Sequence, residues 1–348
     1  MRMKDLKENK VMQQRIDRRK QIKKKRRRRI LYPILVMFLL AVGGVGYMVL
    51  QTYTAASESY DDLDREKSDL RDKAVSIGDD PISILLLGVE NYSTNGDNGR
   101  TDTMLVATFN PSDASLKLVS LPRDTLVEIA GRGTKEKITH AHAYGGKEMA
   151  IKTVEQFLDI PIDYYAAVNF DAFINIVNIL DGIEVDVPFD FEQRTKRESG
   201  NENLQFTEGP MKLNGEEALA YARMRKEDPR GDIGRNERQQ QVIKAIIDKA
   251  TSFGTVTKIN ELAEEVGTNV KTNMSVGEGL GFYQEYSDFS TSNIDKLTIE
   301  TYPQTINGGS YQIPDEQSLA EVKQTLKEHL DLVSSSSESD TYTTEEEQ

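Results

Sequence analysis

The chain has 348 residues, no cysteine, and 44 Lys and Arg against 57 Asp and Glu, for a formal net charge of −13. Without thiols it can have no disulfide, thiol catalysis, cysteine-held zinc or lipidated cysteine. The charge is segregated: residues 1–29 hold fifteen Lys/Arg and three acids, a net of +12, so the remainder is strongly acidic.

Residues 30–50, ILYPILVMFLLAVGGVGYMVL, carry no charge. At about 1.5 Å rise per residue such a helix spans roughly the 30 Å of a bilayer core. A single transmembrane helix is therefore expected, and Pro33 is tolerable in it. The competing reading is a cleaved signal peptide, with Ala55 and Ala56 near the cleavage point. The h-region of such a peptide, about 7–15 residues, is shorter than this run. The basic segment ending in KKKRRRR (23–29) stays on the cytoplasmic side, which puts the C-terminal part outside the cell. A basic arm can also bind nucleic acid through phosphates. Its place against an apolar span favours topology and anionic membrane lipid, so no nucleic-acid partner is expected.

Residues 51–80 are polar with few strand formers and read as a stalk, and the low-complexity acidic tail 334–348 reads as disordered. Between them, 81–333 is long enough to bury one substantial core. ISILLLGV (82–89), TMLVATF (103–109) and SLKLVSL (115–121) are apolar runs of the kind found in strands buried on both faces. Helical patterns follow at 146–160, 170–180, 215–225 and 235–251, interleaved with strands at 164–169, 183–187 and, late in the chain, 297–302. The alternation predicts a layered α/β domain, a central mixed sheet flanked by helices.

Ligands of open α/β sheets sit beyond the strand ends. The first strand runs into a polar loop with Glu90 at its start and Arg100 and Asp102 at its end, and the third delivers Arg123 and Asp124. Glu90 and Asp102 are hard oxygen donors of the kind that hold Mg²⁺ together with water and phosphates, or else they are solvated surface acids. In YARMRKEDPRGDIGRNERQQ, five arginines (Arg223, Arg225, Arg230, Arg235, Arg238) lie in sixteen residues. Arg223 and Arg225 can converge only if a helix ends there, and Pro229 with Gly231 supplies the break. Asp232 is expected to cap the next helix, with Arg235 and Gln239 on one of its faces. The arrangement is an anion site or a set of solvated salt bridges. His140 and His142 would share a strand face and could hold a metal. The chain has only three histidines and no HExxH, so a structural role is the expectation. GxSxG, GxxxxGK[ST] and GxGxxG are absent.

ILLLGVEN, GRTDTMLVATFNP, LVSLPRDT, HAYGG, IPIDYYAAVNFDAF with DGIEVDV, LNGEEALAYARMR and GDIGRNERQQQVI occur in this order over about residues 81–250. Together they resemble the LytR-CpsA-Psr family. The resemblance implies a membrane-anchored transferase of a Gram-positive-type bacterium, cytoplasmic at its N-terminus. It would move an anionic glycopolymer, wall teichoic acid or capsule, from an undecaprenyl-pyrophosphate carrier onto a peptidoglycan hydroxyl. It further implies that Arg100, Arg123, Arg223, Arg225, Arg235 and Gln239 contact the pyrophosphate and that Glu90, where the family more often has Asp, lies with Asp102 at Mg²⁺. An apolar pocket for the prenyl tail is implied too. Asp124 is either a base for the acceptor or a partner of Arg123. The rival readings are a prenyl-pyrophosphate hydrolase, a membrane-bound transcriptional attenuator and a non-catalytic glycan- or lipid-binding module.

Overall fold

The three apolar runs become adjacent strands of one sheet. The computed structural model describes residues 59–89, 101–194, 203–251, 258–275, 277–279, 281–282 and 293–333. The basic segment, the expected transmembrane helix and the acidic tail lie outside the described residues, among which no helix is long and apolar enough to cross a membrane.

β1 (Ile82–Val89), β2 (Thr101–Asn110) and β3 (Ser115–Ser120) form an antiparallel meander. β6 (Tyr164–Asn169) adds parallel to β1, β11 (Val270–Thr272) adds antiparallel to β6, and β12 (Ile294–Thr298) adds parallel to β3. The resulting order is β11-β6-β1-β2-β3-β12, the mixed sheet that was expected. Four two-stranded ribbons surround it: β4 (Leu126–Ile129) with β5 (Thr134–Lys137), β7 (Ile183–Val187) with β10 (Gly209–Leu213), β8 (Phe191–Arg194) with β9 (Asn203–Phe206), and β13 (Thr301–Ile306) with β14 (Gly309–Pro314). The single late strand expected at 297–302 is divided between β12 and β13, with buried Ile299 between them.

Helices among the described residues include α1 (His140–Leu158), α2 (Phe170–Ile179), α3 (Gly215–Arg223), α4 (Asp232–Ala250), α5 (Ile259–Asn269) and α6 (Glu316–His329). One sheet face carries Leu85, Val106 and Val119, register partners in a row, and packs with Ile151 and Val154 of α1 and Leu326 of α6. A second core joins Val177 of α2, Val185, Phe191, Tyr221 of α3 and Val242 of α4.

Two expectations are corrected. Residues 59–80 pack against the domain instead of standing off as a stalk. Leu63 is in the main core, Arg65 bonds both oxygens of the buried Glu155 at 3.0 Å, and Arg71 bonds Asp163 at 3.1 and 2.8 Å. Buried carboxylates require such partners, and these come from more than eighty residues away in sequence. His140 and His142 open α1 instead of lying on a strand; His140 bonds Glu136 at 3.2 Å, and His142 is buried.

Candidate functional site

α3 is set by a capping box. Asn214 accepts from the Glu217 amide while the Glu217 carboxylate accepts from the Asn214 amide, satisfying two donors at the helix start. The helix ends at Arg223, since Met224 is extended (φ −59°, ψ 133°), so the break that convergence of the arginines required is present. Gly231, at a left-handed φ of 57°, turns the chain into α4. Asp232 is the first residue of that helix and makes no cap; its carboxylate lies 2.7 Å from Arg235 and 3.5 Å from Arg225 instead.

The turn between α3 and α4 is locked by a buried ion pair. Arg238, 2% exposed, donates to Asp228 and to the Met224 carbonyl, both at 2.5 Å. Burial alone would raise the Asp228 carboxyl, but the bonds from Arg238 and the Arg230 amide outweigh it and hold the group below the usual carboxylate range. Gly234 leaves room for this pair: a Cβ there would fall 1.8 Å from the Asp228 carboxylate. Arg230 pairs with Glu237 at 2.7 Å.

The other sheet face, under α2, α3 and α4, encloses a cavity of about 310 Å³. Its walls are apolar, from Leu86 and Leu105 on the sheet, Phe170, Phe173 and Ile176 on α2, and Val242, Ile243 and Ile246 on α4. The polar part of the lining includes Arg123, Arg223, Arg235 and Gln239, the last two preceding the apolar residues along α4. The Arg223 guanidinium lies 4.4 Å over the Phe170 ring, a cation–π contact that holds the charge against an apolar wall. Arg235 and Gln239 are each 7% exposed, and the Gln239 amide donates to Thr103 on β2 at 3.0 Å. Among the described residues, no carboxylate lines this cavity. Arginines keep their charge at any ordinary pH, so the cavity joins cationic groups to apolar walls.

The structure does not bring all the candidates together. Arg225 is half exposed and turns to a neighbouring groove. Asp124 forms an ion pair with Lys137 at 2.8 Å, lies 3.7 Å from Arg123, and is outside the cavity lining. Glu90 and Arg100 lie outside the described residues. Asp102 falls where the β1–β2 register shifts, between Thr101 opposite Val89 and Thr103 opposite Gly88. The strand ends bounding the Glu90–Arg100 loop therefore meet at the cavity, which Gly88 and Thr103 line. Among the described residues, no group of three His, Asp or Glu could hold a metal. The apolar lining was not legible in sequence, though α2 carried a signal. Its residues are apolar on more than one side, as expected of a helix between two apolar surroundings.

Cavity and fold together define a mixed α/β protein whose pocket combines apolar walls with arginines. The LytR_cpsA_psr family matches residues 46–328, and the chain belongs to it. A relative is the polyisoprenyl-teichoic acid–peptidoglycan teichoic acid transferase TagV of Bacillus subtilis (strain 168), 46% identical over 313 residues, 87% of this chain and 80% of that protein. The crystal structure of B. subtilis TagV superposes with a TM-score of 0.64, covering 72% of this chain and 98% of that one at 46% identity. YwtF (TagT), solved with bound octaprenyl pyrophosphate lipid, is 33% identical and superposes with a TM-score of 0.61 over 77% of this chain and 97% of its own.

Proposed function

We propose that the protein is a membrane-anchored phosphotransferase that moves an anionic glycopolymer, of wall teichoic acid or capsule type, from an undecaprenyl-pyrophosphate carrier to a peptidoglycan hydroxyl. The observation that carries this reading is the cavity, whose lining joins apolar walls to Arg123, Arg223 and Arg235 and, among the described residues, includes no carboxylate. A prenyl chain gains about 0.8 kcal/mol per CH₂ buried along such walls, and forked guanidinium donors match pyrophosphate oxygens.

In this reading the acceptor oxygen attacks the phosphorus that carries the glycopolymer. A new P–O bond forms, the bond to the bridging oxygen breaks, the hydroxyl proton is released and prenyl phosphate leaves. Arg123, Arg223 and Arg235 offset the charge that develops on the phosphoryl and leaving oxygens, the main demand of phosphoryl transfer. Arg235 is positioned by Asp232, and Gln239 by Thr103. Arg100 and Arg225 would add donors at the rim. Asp124, paired with Lys137, serves better as a support for Arg123 than as a base. Glu90 and Asp102 would hold Mg²⁺, since two carboxylates are the hard oxygen donors that this ion takes together with phosphate. When bound, the ion neutralises pyrophosphate charge.

Arg235→Ala should lower transfer of polymer from a lipid-linked donor to peptidoglycan roughly 10- to 150-fold, the equivalent of losing a charge-assisted contact of about 1.5–3 kcal/mol. Unchanged transfer refutes the site. Release of polymer without covalent attachment would point to the hydrolase instead.

A further inference from the structure

α4 stands on the sheet as a partition. Arg235, Gln239, Val242, Ile243 and Ile246 face the cavity, while Asp232, Ile233, Asn236, Glu237 and Gln240 face a groove on the helix's other side. The groove encloses about 660 Å³, within the roughly 300–1,000 Å³ range of ligand sites. Both spaces lie over the same row of one sheet face, in which Leu86, Leu105, Ser120 and Thr298 are successive register partners. The row is leucine under the cavity and turns to hydroxyls under the groove. The two spaces share their walls closely: Pro122 borders the groove and Arg123 the cavity, and Asp232 in the groove holds Arg235 in the cavity.

Its chemistry differs from that of the cavity. The two arginines lining the groove are already matched, Arg225 by Asp232 at 3.5 Å and Arg230 by Glu237 at 2.7 Å. With Glu300 also in the lining, there is no cationic excess to hold a phosphate. What remains is a mixture of uncharged donors and acceptors, Ser120, Asn236, Gln240 and Gln312, set among the apolar surfaces of Ile233, half exposed, and several prolines. Ser120 is 5% exposed, and its buried hydroxyl has no hydrogen-bond partner among the described residues, a cost that a hydrogen-bonding ligand would remove.

We propose that this groove is a glycan subsite, holding an uncharged saccharide segment rich in hydroxyl and amide groups with one end at the pyrophosphate arginines. The proposal rests on the transferase reading. Two glycans have this chemistry, the peptidoglycan acceptor and the sugars next to the donor's pyrophosphate.

The test is Ser120→Ala and Asn236→Ala, singly and combined, in the full-length protein. Three quantities are measured: KM for a soluble peptidoglycan strand, KM for sugar-bearing donor, and affinity for sugar-free octaprenyl pyrophosphate. The double variant should raise one of the two KM values about five- to tenfold, the loss of one or two neutral hydrogen bonds, while the sugar-free lipid binds as before. A rise for the strand assigns the acceptor, and a rise for the donor assigns its sugars. Unchanged KM values overturn the proposal, as does an equal loss of lipid binding, which would tie these residues to the cavity. Should the wild type show no transfer, direct binding of a GlcNAc–MurNAc tetrasaccharide decides separately: binding abolished in the double variant supports the groove, and no binding to the wild type overturns it.

Discussion

The two faces of the central sheet are built from the same residue types and end differently. On one face Leu85, Leu87 and Val89 of β1 alternate into a core sealed by α1 and α6. On the other, Ile84, Leu86 and Gly88 are each only partly buried, and from Leu86 onward they line the cavity together with the arginines. A closed apolar face stabilises the fold. A face that lines a cavity leaves apolar surface accessible, and the arginines in the same lining set the cavity's charge.

The contrast predicts opposite outcomes for neighbouring leucines. Leu85→Ala, on the sealed face, should lower unfolding free energy by about 2–5 kcal/mol in urea titrations and leave octaprenyl pyrophosphate affinity intact in the folded fraction. Leu86→Ala should cost less stability and weaken lipid binding. Equal stability losses with equal binding would break the comparison.

The sealed face also carries a pH dependence. His329 of α6 lies between the Thr108 and Ser115 hydroxyls, 2.7 Å from each. Burial, together with the Lys117 charge, pushes its imidazole from 6.5 down to about 4. The folded state thus disfavours the proton that the unfolded chain accepts. Stability is complete above pH 6.5 and declines as pH falls toward about 4, by at most about 1.4 kcal/mol per unit. His329→Gln should flatten that part of a plot of urea midpoint against pH; an unchanged slope would assign it to other groups.

The smallest effect belongs to the cavity floor. A Cβ at Gly88 would lie 3.1 Å from Thr103 Cβ, and Thr103 holds Gln239. Gly88→Ala should weaken octaprenyl pyrophosphate binding several-fold, about 1 kcal/mol, by displacing that hydrogen bond. Binding at wild-type strength would place the lipid head away from this floor.

Much of the sheet was legible. β1, β6 and β7 have the boundaries that their apolar runs and alternation predicted, and α2 differs by one residue. The arginine segment was legible only as a cluster. Arg235 lines the cavity, Arg225 turns to the groove, Arg230 pairs at the surface, and Arg238, three residues from Arg235, is an internal strut. The strut depends on where Asp228 and the Met224 carbonyl fall after the chain turns at Gly231, and residue type and spacing do not report that. Residues 59–80 escaped for a similar reason. Their charges suggested solvent, whereas Arg65 and Arg71 answer buried carboxylates far along the chain.

By itself, the sequence determined the apolar strands, the breaks between helices, the absence of thiol chemistry and the order of motifs that the family shares. These are local or compositional properties, set by backbone preference and by the period of burial. Only the tertiary structure decided which apolar side chains find partners and which leave a cavity, and which arginines are satisfied within the protein. Burial and pairing arise from residues distant in sequence, and a leucine facing a core and one lining a cavity are written with the same letter.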